Sequence, residues 1–146
     1  MNAGTFIKST DLLKDTFFEE TVIFITEYNE KGAMGFVVNK LFPRKFNELE
    51  EFKLSPAFPL YDGGPVDREH LFIVHNRPDI ISGGTKVTGH IYTGGDFSSA
   101  VRYINNKTIT EKDICLFIGY CGWDLNEIEA EIREGSWEVL NEGHLF

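Results

Sequence analysis

Five consecutive residues, Asp62-Gly63-Gly64-Pro65-Val66, restrict this chain more than any other stretch. Glycine reaches positive φ and lets another backbone approach closely, whereas Pro65 fixes φ near about −65° and removes one N–H donor, so the segment reads as a rigid corner. Its glycine N–H groups could face an anion, but Pro65 and an apolar strand follow, not a helix N-terminus, and a structural turn is the stronger reading. Past the corner, residues 70–75 alternate: Leu71, Ile73 and His75 share one face, and His70, Phe72 and Val74 the other.

Upstream, residues 21–26 and 33–39 are β-rich runs joined by a loop over 27–32, which predicts a β-hairpin. Val22-Ile23-Phe24-Ile25 and Phe36-Val37-Val38 are apolar without alternation, so protein should cover both faces of these strands. The chain opens with a strand over 4–8 and a capped turn at Leu12 and Leu13. A short amphipathic helix is expected over 46–52, with Asn47 and Glu50 at capping-box spacing, before Pro56 and Pro59 extend the chain toward the corner. Downstream come a loop over 76–84, a strand over 85–92, a helix over 96–103 capped by Asp96, and a strand over 114–118. Gly119-Tyr120-Cys121-Gly122-Trp123 reads as the turn from that strand into a closing helix over 124–134. That helix has the stripe Leu125, Ile128 and Ile132 and stops at Gly135. With 146 residues and 42% hydrophobic content, one α+β domain can bury a core without staples.

Charge narrows the function. The net charge is −9, and residues 111–146 hold nine acidic and two basic side chains, a balance of −7. No basic stripe is present to meet phosphates, so neither direct nucleic-acid contact nor an anionic membrane surface is expected. No apolar run approaches the roughly 20 residues of a membrane-crossing helix, and the first residues carry no secretory pattern, so the cytoplasm is the expected compartment. Cys115 and Cys121 are not spaced as C-x-x-C and read as buried free thiols. The four histidines lack metal-binding spacing, so no metal or cofactor is expected.

His75 is the one histidine with a functional reading, because a strand-end imidazole can act as a base. A hydrolase or transferase would need it to meet Cys121 or Asp15 in one pocket; the alternative is a satisfied structural histidine. Asn39 could orient a ligand, or cap its own turn. The N–H groups of the Gly119 to Trp123 turn could hold a carboxylate or phosphate, although Asp124 is placed to satisfy them. Trp123 and Trp137 read as packing anchors at the two ends of the closing helix, and Arg133 as an internal partner of Glu129. Glu127, Glu131 and Glu134 lie on the helix's other side as a candidate surface for a basic protein partner; a merely solvated face is the competing reading.

Three blocks also resemble a known family: Gly32-Ala33-Met34-Gly35-Phe36-Val37-Val38-Asn39, Gly63-Gly64-Pro65-Val66, and Gly119-Tyr120-Cys121-Gly122-Trp123 followed by Ile128-Glu129-Ala130-Glu131-Ile132. In this order they are similar to the signatures of the YqgE/AlgH family, and Asp15, Phe18, His75 and Trp137 fit its lesser motifs. Lys40-Leu41 and Glu127 depart from its usual residues. The resemblance implies one domain over 1–146 with a mixed, partly barrel-like β-sheet flanked by helices, in a cytosolic bacterial protein of a kind labelled a transcriptional regulator. Together these readings predict a non-catalytic regulatory or binding protein acting through a protein or small ligand, with a small hydrolase or transferase as the alternative.

Overall fold

The unalternating apolar runs do form the middle of the sheet. In the computed structural model, which describes residues 1–146, β1 (Phe6–Ser9) pairs with β2 (Val22–Asn29), which pairs in turn with β3 (Gly32–Val37). Ile23, Phe24, Ile25, Phe36 and Val37 are at most 1% exposed. The hairpin is tighter than expected: residues 27–29 continue β2, and only Glu30 and Lys31 turn. Asn29 Oδ1 accepts the Lys31 N–H at 2.8 Å, which closes the turn, and a bulge between Ile25 and Glu27 absorbs the register change.

Six further strands follow: β4 (Leu60–Asp62), β5 (Val66–His75), β6 (Thr85–Thr88), β7 (Ile91–Thr93), β8 (Ile114–Asp124) and β9 (Trp137–Leu140). The sheet order is β6-β7-β5-β8-β3-β2-β1-β9, antiparallel throughout except where β4 joins β8 in parallel. The sheet curls around Phe6, Phe24, Phe36, Val74, Cys115 and Phe117, with Val87, Ile91, Leu140 and Leu145 packed against them. The end strands β6 and β9 do not pair with each other, so the barrel stays open. On the outer face, α1 (Phe97–Asn105) and α2 (Glu127–Arg133) each cover a separate apolar cluster. The result is the expected α+β domain with a mixed sheet.

Several local expectations are corrected. Residues 46–52 form two 3-10 turns, Phe46–Glu48 and Glu50–Phe52, because Leu49 between them is extended. The capping bond runs from the Lys45 N–H to Glu48, not between Asn47 and Glu50. The strand over 85–92 is a second hairpin, β6 and β7, turned at Gly89, whose φ is 50°. The closing helix begins at Glu127, after Asn126 in the left-handed region, and Leu125 is 58% exposed and outside its stripe. Trp137 does not only pack at a helix end: it opens β9, an edge strand with the exposed pair Glu138 and Val139, too short and polar to stand out in the sequence.

Candidate functional site

The largest correction concerns Gly119 to Trp123. These residues are no turn: β8 runs through them, pairing with β5 as far as Tyr120 and with β3 from Cys121 onward. Gly119, at φ 73°, kinks the strand where it passes from one partner to the other. The glycine corner packs directly onto that kink. Gly63 donates to the Ile118 carbonyl at 2.8 Å and accepts from the Val37 N–H at 2.9 Å. A Cβ on Gly64 would overlap the Tyr120 carbonyl, and one on Gly119 would overlap that of Gly64. Two of the three motif blocks are therefore one backbone-on-backbone contact that only glycine permits. Pro65 and Val66 leave the contact exposed, as does Gly122 further along β8.

The other motif residues turn their polar groups inward. His75 is fully buried at the end of β5; its Nε2–H donates to the Gly94 carbonyl at 3.0 Å and its Nδ1 accepts the Arg77 N–H at 3.1 Å. Burial holds its pKa below the ordinary histidine value. Its β8 neighbour is Ile114, seven residues before Cys121, so the imidazole and that thiol stand roughly 20 Å apart along the strand. Cys121 lies against the Gly63 carbonyl, and burial pushes its thiol up to about 12, as it does for Cys115. Asp15 stands exposed in the loop before β2, with φ 65°, and makes no bond to His75. Asn39 does not cap its own turn; it clamps the entry of β2, accepting from the Val22 N–H at 3.0 Å and donating to the Glu20 carbonyl at 2.9 Å.

The acidic helix face divides. Glu127 and Glu134 are exposed, and Glu127 accepts the Asp124 N–H. Glu131 instead accepts both indole N–H groups, from Trp123 at 3.2 Å and Trp137 at 2.9 Å. Glu129 accepts the Tyr28 hydroxyl, not Arg133, which forms no ion pair.

A cleft of about 580 Å³ lies elsewhere, between the two 3-10 turns, the start of α1 and the first half of β5. Sequence reasoning did not find it. Phe42, Leu49, Phe52, Leu71, Phe97 and Ile118 supply its apolar wall, with Phe52 stacked on the buried Phe46 at 4.4 Å and edge-on to Phe97 at 5.9 Å. Its polar side comes from a long bulge. Val66 lies opposite Tyr120 and Leu71 opposite Ile118, so β5 takes five steps while β8 takes two, and residues 67–70 are pushed out of the ladder. Asp67 turns with φ 51° and meets His70 Nδ1 at 2.6 Å, which raises the pKa of that exposed imidazole. Arg68 reaches back to Asp62 and to the Gly64 carbonyl at 2.9 Å. Its guanidinium lies 6.0 Å from the Phe42 ring centre, and that of Arg44 lies 5.8 Å away. Glu50, Glu51 and Glu69 complete the rim. The signal in the sequence was Asp67-Arg68-Glu69-His70, four consecutive polar residues inside a strand whose other half alternates.

Comparison with known proteins agrees with this fold. Residues 6–144 match the family described as AlgH-like. A UPF0301 protein of Parabacteroides distasonis is 36% identical over 138 residues, spanning 93% of this chain and 70% of the relative; one from Bacteroides thetaiotaomicron is 32% identical over 144 residues, spanning 98% and 73%. The solution structure of the AlgH protein from Pseudomonas aeruginosa superposes with a TM-score of 0.78 at 26% identity, over 97% of this chain and 77% of that one. A crystal structure from Corynebacterium diphtheriae shares the fold, with a TM-score of 0.79 at 16% identity over 98% and 77%. The match runs through all three glycine-rich blocks and nearly the full length, and the chain belongs to the AlgH-like family.

Proposed function

We propose that this chain is a non-catalytic binding protein of the cytoplasm whose ligand occupies the cleft beside the β5 bulge, and that any regulatory role runs through that ligand or a protein partner, not through DNA contact. One observation carries the reading. His75 and Asn39 are committed to the protein's own backbone, whereas Arg44, Arg68 and His70 line an open cleft with an apolar wall. The hydrolase reading has less support, because His75 lies opposite Ile114 at the start of β8, seven residues before Cys121, and neither thiol is ionised near neutral pH. The acidic surface, with its net −9, supports indirect action.

Titration of isotopically labelled protein with a fragment collection, followed by amide shifts, tests this. Shifts gathered at Leu71, Phe97 and the bulge are expected. Shifts gathered around His75 or Cys121, or turnover of an ester probe lost in His75→Ala, would refute it.

A further inference from the structure

We propose that the cleft selects planar, apolar ligands that carry a single negative charge; this rests on the binding reading above and names the ligand class. The planar preference follows from the wall. Phe42, Phe52 and Phe97 present partly exposed ring surface on three different segments, and the Phe46 stack fixes Phe52 from behind. Flat apolar bodies bury the most surface against such rings at little conformational cost. A space of about 580 Å³ falls within the roughly 300–1,000 Å³ of small-molecule sites.

The charge preference follows from which rim groups are already partnered. Arg68 is bound to Asp62, and Lys53 is paired with Glu50, but Arg44 takes part in no ion pair and its guanidinium lies over the Phe42 ring. A carboxylate or sulfonate carried by a ring held in the cleft would meet that guanidinium with two parallel donors. Arg68, whose guanidinium lies 6.0 Å from the centre of the same ring, adds a second cation whose position Asp62 and Gly64 fix. Two rim carboxylates in no ion pair bound the charge from above: Glu51 and Glu69 repel a polyanion, so one negative charge is favoured over several.

The test uses the full chain and three ring-matched probes, 2-naphthoate, neutral 2-naphthamide and cationic 2-naphthylmethylamine, each titrated while the amides of Leu71 and Phe97 are followed. Naphthoate should bind at least about tenfold more tightly than naphthamide, the ratio one charge-assisted hydrogen bond supplies. Arg44→Gln should weaken naphthoate far more than naphthamide and so shrink that preference, while the same charge change at exposed Lys112, outside the cleft, should leave both affinities unchanged. Phe42→Leu should weaken both probes together. Equal binding of naphthoate and naphthamide, or tighter binding of the amine, overturns the ligand class while leaving the cleft as a binding site. If no probe moves the Leu71 or Phe97 amides, the cleft reading itself falls.

Discussion

The two halves of β5 differ in almost every physical respect although one strand joins them. From Leu71 to His75 the strand pairs residue for residue with β8, its side chains are buried or half-buried, and its terminal histidine is closed off by backbone groups. Between Val66, still opposite Tyr120, and Leu71 it leaves the ladder; every residue from Val66 to His70 is exposed, and two of its side chains are held by carboxylates of the same chain. A regular ladder fixes side chains by burying them, which satisfies polar groups and removes them from solution chemistry. A bulge frees side chains but has to hold them by local bonds. The glycine corner makes both halves possible. It fixes where β5 starts, and the surplus residues between Val66 and Leu71 are then forced outward.

Breaking that corner should have the largest effect. Gly64→Val places a branched side chain at φ 153° and onto the Tyr120–Cys121 peptide, backbone with no flexible group to yield. A loss of more than about 3 kcal/mol is expected, on the order of a 10 °C fall in Tm for a chain of this length. Thermal unfolding measures it. A fall under about 2 °C would mean that the corner relaxes and does not set the register of β5.

His75→Ala should cost less, about 2–4 kcal/mol, by leaving the Gly94 carbonyl and the Arg77 N–H without partners and opening a buried void. His70→Ala, on the exposed half, should move the unfolding midpoint by only a small fraction of the His75→Ala shift. Denaturant unfolding of the two variants compares the halves directly. Equal losses would erase the distinction between a closed and an open half.

The closed half of this contrast was legible in the sequence, and the features that were not share a cause. Periodicity reported the buried strands β2, β3 and the second half of β5, because burial on a given face writes itself into every second residue or into an unbroken apolar run. Asp96 as the cap of α1 was equally plain, since one side chain does the capping within three residues. What the sequence hid depends on partners far along the chain. Gly119 reads as a turn because glycine with a following helix usually is one; here a second glycine pair, more than fifty residues earlier, packs against it and keeps β8 extended. Glu131 reads as part of a solvated stripe until β9 brings Trp137 beside Trp123. The cleft was hidden for the same reason: Phe42, Arg68 and Phe97 belong to three segments whose meeting depends on the bulge.

The smallest effect is also the sharpest comparison, because one titration reads both halves of β5. Burial lowers the pKa of His75, so protonation favours the unfolded chain; its contribution to stability is present above the unfolded value of about 6.5 and is lost as pH falls through the folded one. The hydrogen bond to Asp67, with the added charges of Asp67 and Glu69, raises the pKa of His70, so its contribution is complete below about 6.5 and is lost as pH rises through the folded value. The two imidazoles, five positions apart on one strand, should therefore titrate on opposite sides of the free histidine value. Ring-proton NMR across pH 4 to 9 resolves them, and Asp67→Asn should bring the His70 midpoint back toward about 6.5 without moving that of His75. Coincident midpoints in the unaltered protein would show that the bulge does not hold His70 against Asp67 in solution. The open half of β5 would then be a loose loop, without the fixed charges that the cleft needs.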